Sequence, residues 1–389
     1  MSSAVIDATG LRLLVSALID RGYRVVGPTL SDNSIVLSEL KSADDLPRGW
    51  GVDVGPGHYR LRRRDDDALF GHSAGPQSWK QFLHPPRQKL WSSGGQERWG
   101  HLPPEGQGDD SGSDTGDGGG ELGETPRYAF IGVRACDLSA IAMLNGVLGE
   151  GAHPDQGFVG RLRRIFVVAV NCTEPGGLCF CASMGTGPAV GPGYDLALTE
   201  RIDGAGSWYV VDVGSDDGAA VLEQLPHREA DVDEIDSARS DVADAENHMG
   251  RQMPERDLRE LLVQSRESPH WDEVASRCLT CGNCTMVCPT CFCTSVEDTT
   301  DLTGEHAERW MNWASCFEFD FTFVHEGSVR QSGPSRYRHW ITHKLGTWHD
   351  QFGSSGCVGC GRCIAWCPTG IDITEEMNTL ARLAEPPDD

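Results

Sequence analysis

The sequence predicts an α+β protein: an N-terminal α/β domain followed by a smaller, mostly helical domain. Three observations carry this. A strand–helix–strand pattern lies between residues 127 and 170. Strongly polar stretches break the chain at residues 104–125 and 227–250. Most of the 15 cysteines fall beyond residue 277, in a region rich in Trp, Phe and His.

The elements follow in order. "TGLRLLVSALIDRG" predicts a helix with Leu11, Leu14, Val15 and Leu18 on one face and Gly22 past its end. "YRVVGP" and "SIVLSEL" read as strands. Residues 104–125 are Gly, Ser and Asp with almost nothing apolar, which predicts a disordered insertion. Their glycines do not cradle phosphate, because neither a helix start nor a basic residue follows. "RYAFIGV" (127–133) and "RIFVVAV" (164–170) flank "CDLSAIAMLNGVL", where Leu138, Ile141, Leu144 and Leu148 recur at helical spacing. A strand, crossover helix and strand of this length form a parallel βαβ unit. Its two strand ends then share one sheet edge, where α/β proteins hold ligands. Cys136 follows the first strand and Cys172 the second, so they are expected to meet. The N-terminal domain is therefore assigned to residues 1–103 and 126–226, an acidic linker or helix to 227–267, the helical domain to 268–375 and a tail to 376–389.

Composition limits the function. The formal charge of −25 opposes nucleic acid or an anionic membrane as main partner and suits docking to basic protein surfaces. No apolar run is long enough to span a bilayer. The first residues lack a basic segment and cleavage site, so a cytoplasmic location is expected. In a reducing compartment, clustered cysteines point to metal sites and not to disulfides.

"CLTCGNCTMVCP" and "CVGCGRCIAWCP" each carry the C-x2-C-x2-C-x3-C-P spacing of 4Fe–4S sites. Three thiolates at that spacing wrap a loop around one face of a cubane, and Gly282 and Gly361 allow close backbone approach. In two-cluster ferredoxins the fourth cysteine of each run crosses to the other cluster. One cubane is thus expected on Cys278, Cys281, Cys284 and Cys367, and a second on Cys357, Cys360, Cys363 and Cys288. Zinc or spare thiols are the plainer alternative for either run alone. The long gap between the runs suits a helical dicluster ferredoxin domain.

A pattern is written twice: "NCTEPGGLCFCAS" from Asn171 and "NCTMVCPTCFCTS" from Asn283. Its second copy contains the ligand Cys284, which suggests metal binding at the first. Cys172, Cys179 and Cys181, joined by Cys136 from the neighbouring strand end, make four thiols and a candidate third 4Fe–4S site. Cys136 also opens a helix, whose positive end favours anionic sulfur. Zinc and simple packing remain alternatives at this set. Cys291, Cys293 and Cys316 are read as buried thiols beside the clusters, and His339 and His343 as a partly buried polar face. No nucleophile–base arrangement is evident, so no catalytic residue is assigned and the chain itself should not make or break substrate bonds.

With "GVRACDLSAI", "NCTEPGGLCFCASMGTGP", "CLTCGNCTMVCPTCFC" and "CVGCGRCIAWCPTGIDI" in hand, the chain resembles the β subunits of cytoplasmic NAD(P)-linked NiFe hydrogenases, or sulfhydrogenases. It is similar also to the electron-transfer subunit of anaerobic sulfite reductases, which belongs to the same dicluster family. The resemblance covers most of the chain outside the two polar stretches. It implies an electron-transfer role. One partner would be a flavin subunit carrying FAD and a 2Fe–2S centre that exchanges hydride with NAD(P)H. The others would be the small and large hydrogenase subunits.

Overall fold

The structure, a computed structural model, describes residues 3–93, 126–204 and 206–385. The expected insertion at 104–125 lies outside the described residues.

Strands β1 (Ala4–Asp7), β2 (Arg24–Ser31) and β3 (Ser34–Glu39) open the chain, and β4 (Trp50–Gly55) and β5 (His58–Arg63) form a separate hairpin. β6 (Arg87–Ser93) precedes β7 (Tyr128–Arg134) and β8 (Phe166–Val170). β9 (Leu196–Asp203), β10 (Gly206–Val213) and β11 (Arg228–Glu229) follow, then β12 (Thr294–Thr300) and β13 (Ala307–Trp313). The main sheet runs β11-β1-β10-β9-β8-β7-β2-β3. Its centre, β2-β7-β8-β9, is parallel, and both flanks are antiparallel.

Parallel strands are covered on both faces, so they read as unbroken apolar runs. In β8, Phe166, Val168 and Val170 join Leu11, Leu14, Val15 and Leu18 of the helix Ala8–Asp20 in one core. Val167 and Ala169 face the other way, with Leu138, Ile141 and Leu144 of the helix Ala135–Leu144. The βαβ unit is present as expected, and Arg134 pairs with Val170 at the last register position. Cys136 and Cys172 therefore both stand two residues beyond that pair, at one sheet edge.

The second half departs from the expected picture in two ways, the small β6–β12–β13 sheet and the C-terminal helix. Its helices include His270–Arg277, Gly333–Ile341 and Ile373–Leu383, but β12 and β13 form a hairpin among them. β13 pairs with β6, so a strand of the N-terminal half completes this small sheet. The segment expected as linker or helix is a helix over Val232–Asn247, capped by Asp231 and burying Ala238, Val242 and Ala245. The expected tail after 375 is instead the body of Ile373–Leu383, because Met377, Leu380 and Ala381 recur on its core face.

The β4–β5 hairpin reaches across as well. Gly57 N–H donates to Ile364 O at 3.0 Å, and Tyr59 lies 5.1 Å from Trp366 between ring centroids. A Cβ at Gly57 would meet Cys367 O at 2.8 Å, and its φ of 68° is left-handed. Gly22 shares a left-handed φ but has nothing within 4 Å of such a Cβ. Gly22→Ala is expected to cost only backbone strain, roughly 1–2 kcal/mol. Gly57→Ala should cost clearly more and loosen the hairpin from the second cysteine run. Urea unfolding of the two variants side by side checks the difference.

Candidate metal centres

The first cysteine run leaves the helix His270–Arg277, which Cys278 caps. Gly282, with φ 73°, opens the short helical turn Asn283–Met286; Gly361, also at 73°, opens Arg362–Ala365 in the second run. Asn283 donates to Trp366 O and ties the two turns together. Cys278, Cys281, Cys284 and Cys367 line one cavity, walled by Phe317, Tyr337 and Trp340. The fourth cysteine of the second run thus stands with the first three of the first run. Thr280 N–H donates to Cys278 Sγ at 3.3 Å and Ile371 N–H to Cys367 Sγ at 3.3 Å. These are the backbone dipoles that an anionic cluster needs.

The reciprocal crossing brings Cys288 beside Cys357, Cys360 and Cys363, each of which feels its charge. Lys344, buried in the π-turn Thr342–Thr347, points its ammonium at this group. Its Nζ lies 3.2 Å from Cys288 Sγ, 3.0 Å from Thr290 Oγ1 and 3.0 Å from Gly356 O.

The third set sits at the sheet edge. Cys136, Cys172, Cys179 and Cys181 line one cavity together with Arg134, Met249 and Cys360. Cys172 N–H donates to Pro188 O at 3.2 Å, which holds the "GTGP" loop over it. That loop needs glycine: a Cβ at Gly187 would lie 2.9 Å from Ala135 Cβ and 3.2 Å from Cys181 Sγ. Buried Arg134 spans the site, donating to Cys172 Sγ at 3.1 Å and to Phe70 O at 2.8 Å.

This cavity abuts the second run. Phe180 N–H donates to Gly359 O at 2.9 Å, and Thr186 Oγ1 to Val358 O at 2.8 Å. A Cβ at Gly359 would lie 2.6 Å from Cys181 Cα, and one at Gly361 2.5 Å from Leu178 O. Gly361 is thus required by the neighbouring loop as well as by its turn. Arg362 reaches back to pair with Asp137 at 2.9 Å, both buried, and to donate to Gly75 O and Gln77 O at 3.2 Å. Arg134, Asp137, Arg362 and Lys344 escape a reading of the sequence. For Arg134, Asp137 and Arg362 the one signal is a charged residue set inside or beside a cysteine motif, as in "RACD" and "CGRC"; Lys344, in "THKLGT", carries none.

Burial sets the electrostatics. It pushes the Cys136, Cys284 and Cys363 thiols well above their ordinary range, Cys179 to about 11 and Cys357 to about 12. Such thiols hold their protons unless a metal displaces them. Among the described residues no three His, Cys, Asp or Glu side chains converge tightly enough for a single metal ion. The four thiols of the Cys278 set and the four of the Cys136 set each line one shared cavity, a donor set that suits a polynuclear cluster in which each thiolate binds a different iron.

The remaining thiols lie beside these sets. Cys291 hydrogen-bonds Cys288, and Cys316 hydrogen-bonds Cys293, which holds Cys293 down at about 7. Cys316 is buried, whereas Cys291 and Cys293 are half-buried. His339 and His343 stack at 5.9 Å, and His343 Nε2 meets Gln351 Oε1 at 3.1 Å.

Comparison with known proteins agrees with this geometry. Residues 277–371 match the model of a 4Fe–4S dicluster domain. Sulfhydrogenase 2 subunit beta of Pyrococcus furiosus is 32% identical over 257 residues, 65% of this chain and 74% of the relative. No solved structure matches. Among the described residues no helix is long and apolar enough to cross a membrane. With its two crossed cysteine runs in a dicluster domain, the chain belongs to the family of sulfhydrogenase beta-type iron–sulfur subunits and serves electron transfer in a hydrogenase-type complex.

Proposed function

We propose that this chain is a three-cubane relay between the small subunit of a NiFe hydrogenase and a partner that binds flavin and NAD(P). Cys136, Cys172, Cys179 and Cys181 hold one cubane, Cys288, Cys357, Cys360 and Cys363 the middle one, and Cys278, Cys281, Cys284 and Cys367 the last. The observation that carries this reading is the position of Cys360, which belongs to the second run and also lines the cavity of the Cys136 set. Cys363 similarly lines the cavity of the Cys278 set. Cubanes bound there supply one-electron exchange. The chain's own work is to hold them, exclude water and supply N–H donors.

Burial differs along the row. Cys136, Cys181 and Cys357 are buried, while Cys281 is exposed and Leu279 beside it is 64% exposed. The Cys278 end is therefore the one that meets a partner's redox centre, where a short gap matters most. FAD and NAD(P) are placed on a partner subunit, as the resemblance to sulfhydrogenase β subunits implies.

Anaerobically purified protein is expected to contain about twelve irons with matching sulfide, four per cubane. Cys136→Ser should remove about four of them and leave the ferredoxin-type signals. A wild-type content near eight would remove the sheet-edge cubane from the relay, and zinc without sulfide would reject the relay itself. Nickel in the co-purified complex supports the hydrogenase assignment, whereas siroheme would replace it with sulfite reduction. In metal-free protein, Cys281 should be alkylated before the other candidate ligands, as mass spectrometry of timed iodoacetamide labelling would record.

A further inference from the structure

We propose that the buried Lys344 ammonium holds the cubane closed by Cys288 at a higher potential than the cubane of Cys278, so that electrons passing between the two run downhill toward Cys288. The inference rests on the relay reading above and concerns what one side chain does to it.

A buried lysine is unusual and demands partners. Lys344 is 3% exposed, and its three N–H donors are taken by Cys288 Sγ, Thr290 Oγ1 and Gly356 O. Among the described residues no carboxylate pairs with it, so its charge is left for the thiolates. Lys80 adds a second cation from the N-terminal half. It is also 3% exposed, with Nζ 2.9 Å from Cys291 O and 3.7 Å from the Trp313 ring centroid. Arg362 stands near Cys360 too, but Asp137 at 2.9 Å offsets it.

The Cys278 set is built differently. Its hydrogen bonds come from the amides of Thr280 and Ile371, and Thr369 Oγ1 lies 3.4 Å from Cys367 Sγ. Among the described residues no lysine or arginine donates to Cys278, Cys281, Cys284 or Cys367. Arg336, which attracts Cys278 from farther off, spends its guanidinium on Phe317 O at 2.9 Å. Reduction adds one negative charge to a cubane. A fixed cation at 3.2 Å in a low-dielectric interior favours that added charge far more than neutral amides do. Lys344 is thus a positioning residue for potential. Its place in a π-turn, a local irregularity common at functional sites, aims it inward.

The test is an anaerobic redox titration of the full chain, followed by electron paramagnetic resonance, for wild type, Lys344→Met and Lys344→Arg. Cys288→Ser marks which signal belongs to the Cys288 cubane. That signal should have the higher midpoint of the two ferredoxin-type cubanes in wild type. Lys344→Met should lower it while the Cys278 signal moves less, and Lys344→Arg should restore most of it. Iron content is measured alongside. If Lys344→Met does not retain iron, Lys80→Met is read instead, with a smaller downward shift of the same signal expected. An iron-replete Lys344→Met with unmoved midpoints, a Lys80→Met without a shift, or a Cys288 signal that is the lower of the pair in wild type overturns the inference and leaves the relay standing. A wild-type chain without cubanes overturns the relay itself.

Discussion

The contact between the loop Leu178–Cys181 and the second cysteine run is the constraint on which the rest depends. Only glycine fits at 359 and 361, because the neighbouring backbone occupies the space a Cβ would need. The Asp137–Arg362 pair closes the same seam with two buried charges, and neither could lose its partner cheaply. The seam presses a sheet edge of the N-terminal half onto a metal-binding loop of the other half. Two candidate centres that sequence separates by nearly the length of a domain thereby share Cys360 in their walls. The β6–β13 pairing and the β4–β5 hairpin also tie the two halves together, and this seam sets those two sites side by side.

The electrostatics follow from the same burial. Thiols packed among Leu178, Phe180, Tyr337 and Trp340, such as Cys284, resist ionisation, so a metal that binds there must displace their protons. Cations are then distributed unevenly: Arg134 at the sheet edge, Lys344 and Lys80 at the Cys288 set, backbone amides at the Cys278 set. Near Cys281 and Leu279 the Cys278 set is open to solvent.

Much of this is legible in the sequence. Periodicity locates the helix of Leu11 to Leu18, and the βαβ pattern places Cys136 and Cys172 on one edge, because parallel register and strand length leave few choices. Cysteine spacing pairs Cys367 with Cys278 and Cys288 with Cys357. The strand β13 is hidden because "AERWMNW" carries no clean alternation and its partner β6 lies more than 200 residues away. The last helix reads as a tail because its apolar face is only Ile373, Met377, Leu380 and Ala381. Lys344, Arg362 and Asp137 are not legible, since a charge in sequence looks like surface until its surroundings are known. The repeated Cys-Phe-Cys has two uses: Phe180 anchors the seam, while Phe292 packs against Trp348 and Phe352.

The central claim is that three separate thiol sets each enclose a cluster of iron. Anomalous diffraction from anaerobically grown crystals at the iron edge tests it without reference to activity. Three compact iron peaks are expected, one within each set, with the Cys288 peak between the other two. Signal at the zinc edge in place of iron, or density bridging thiols directly as disulfides, would contradict it.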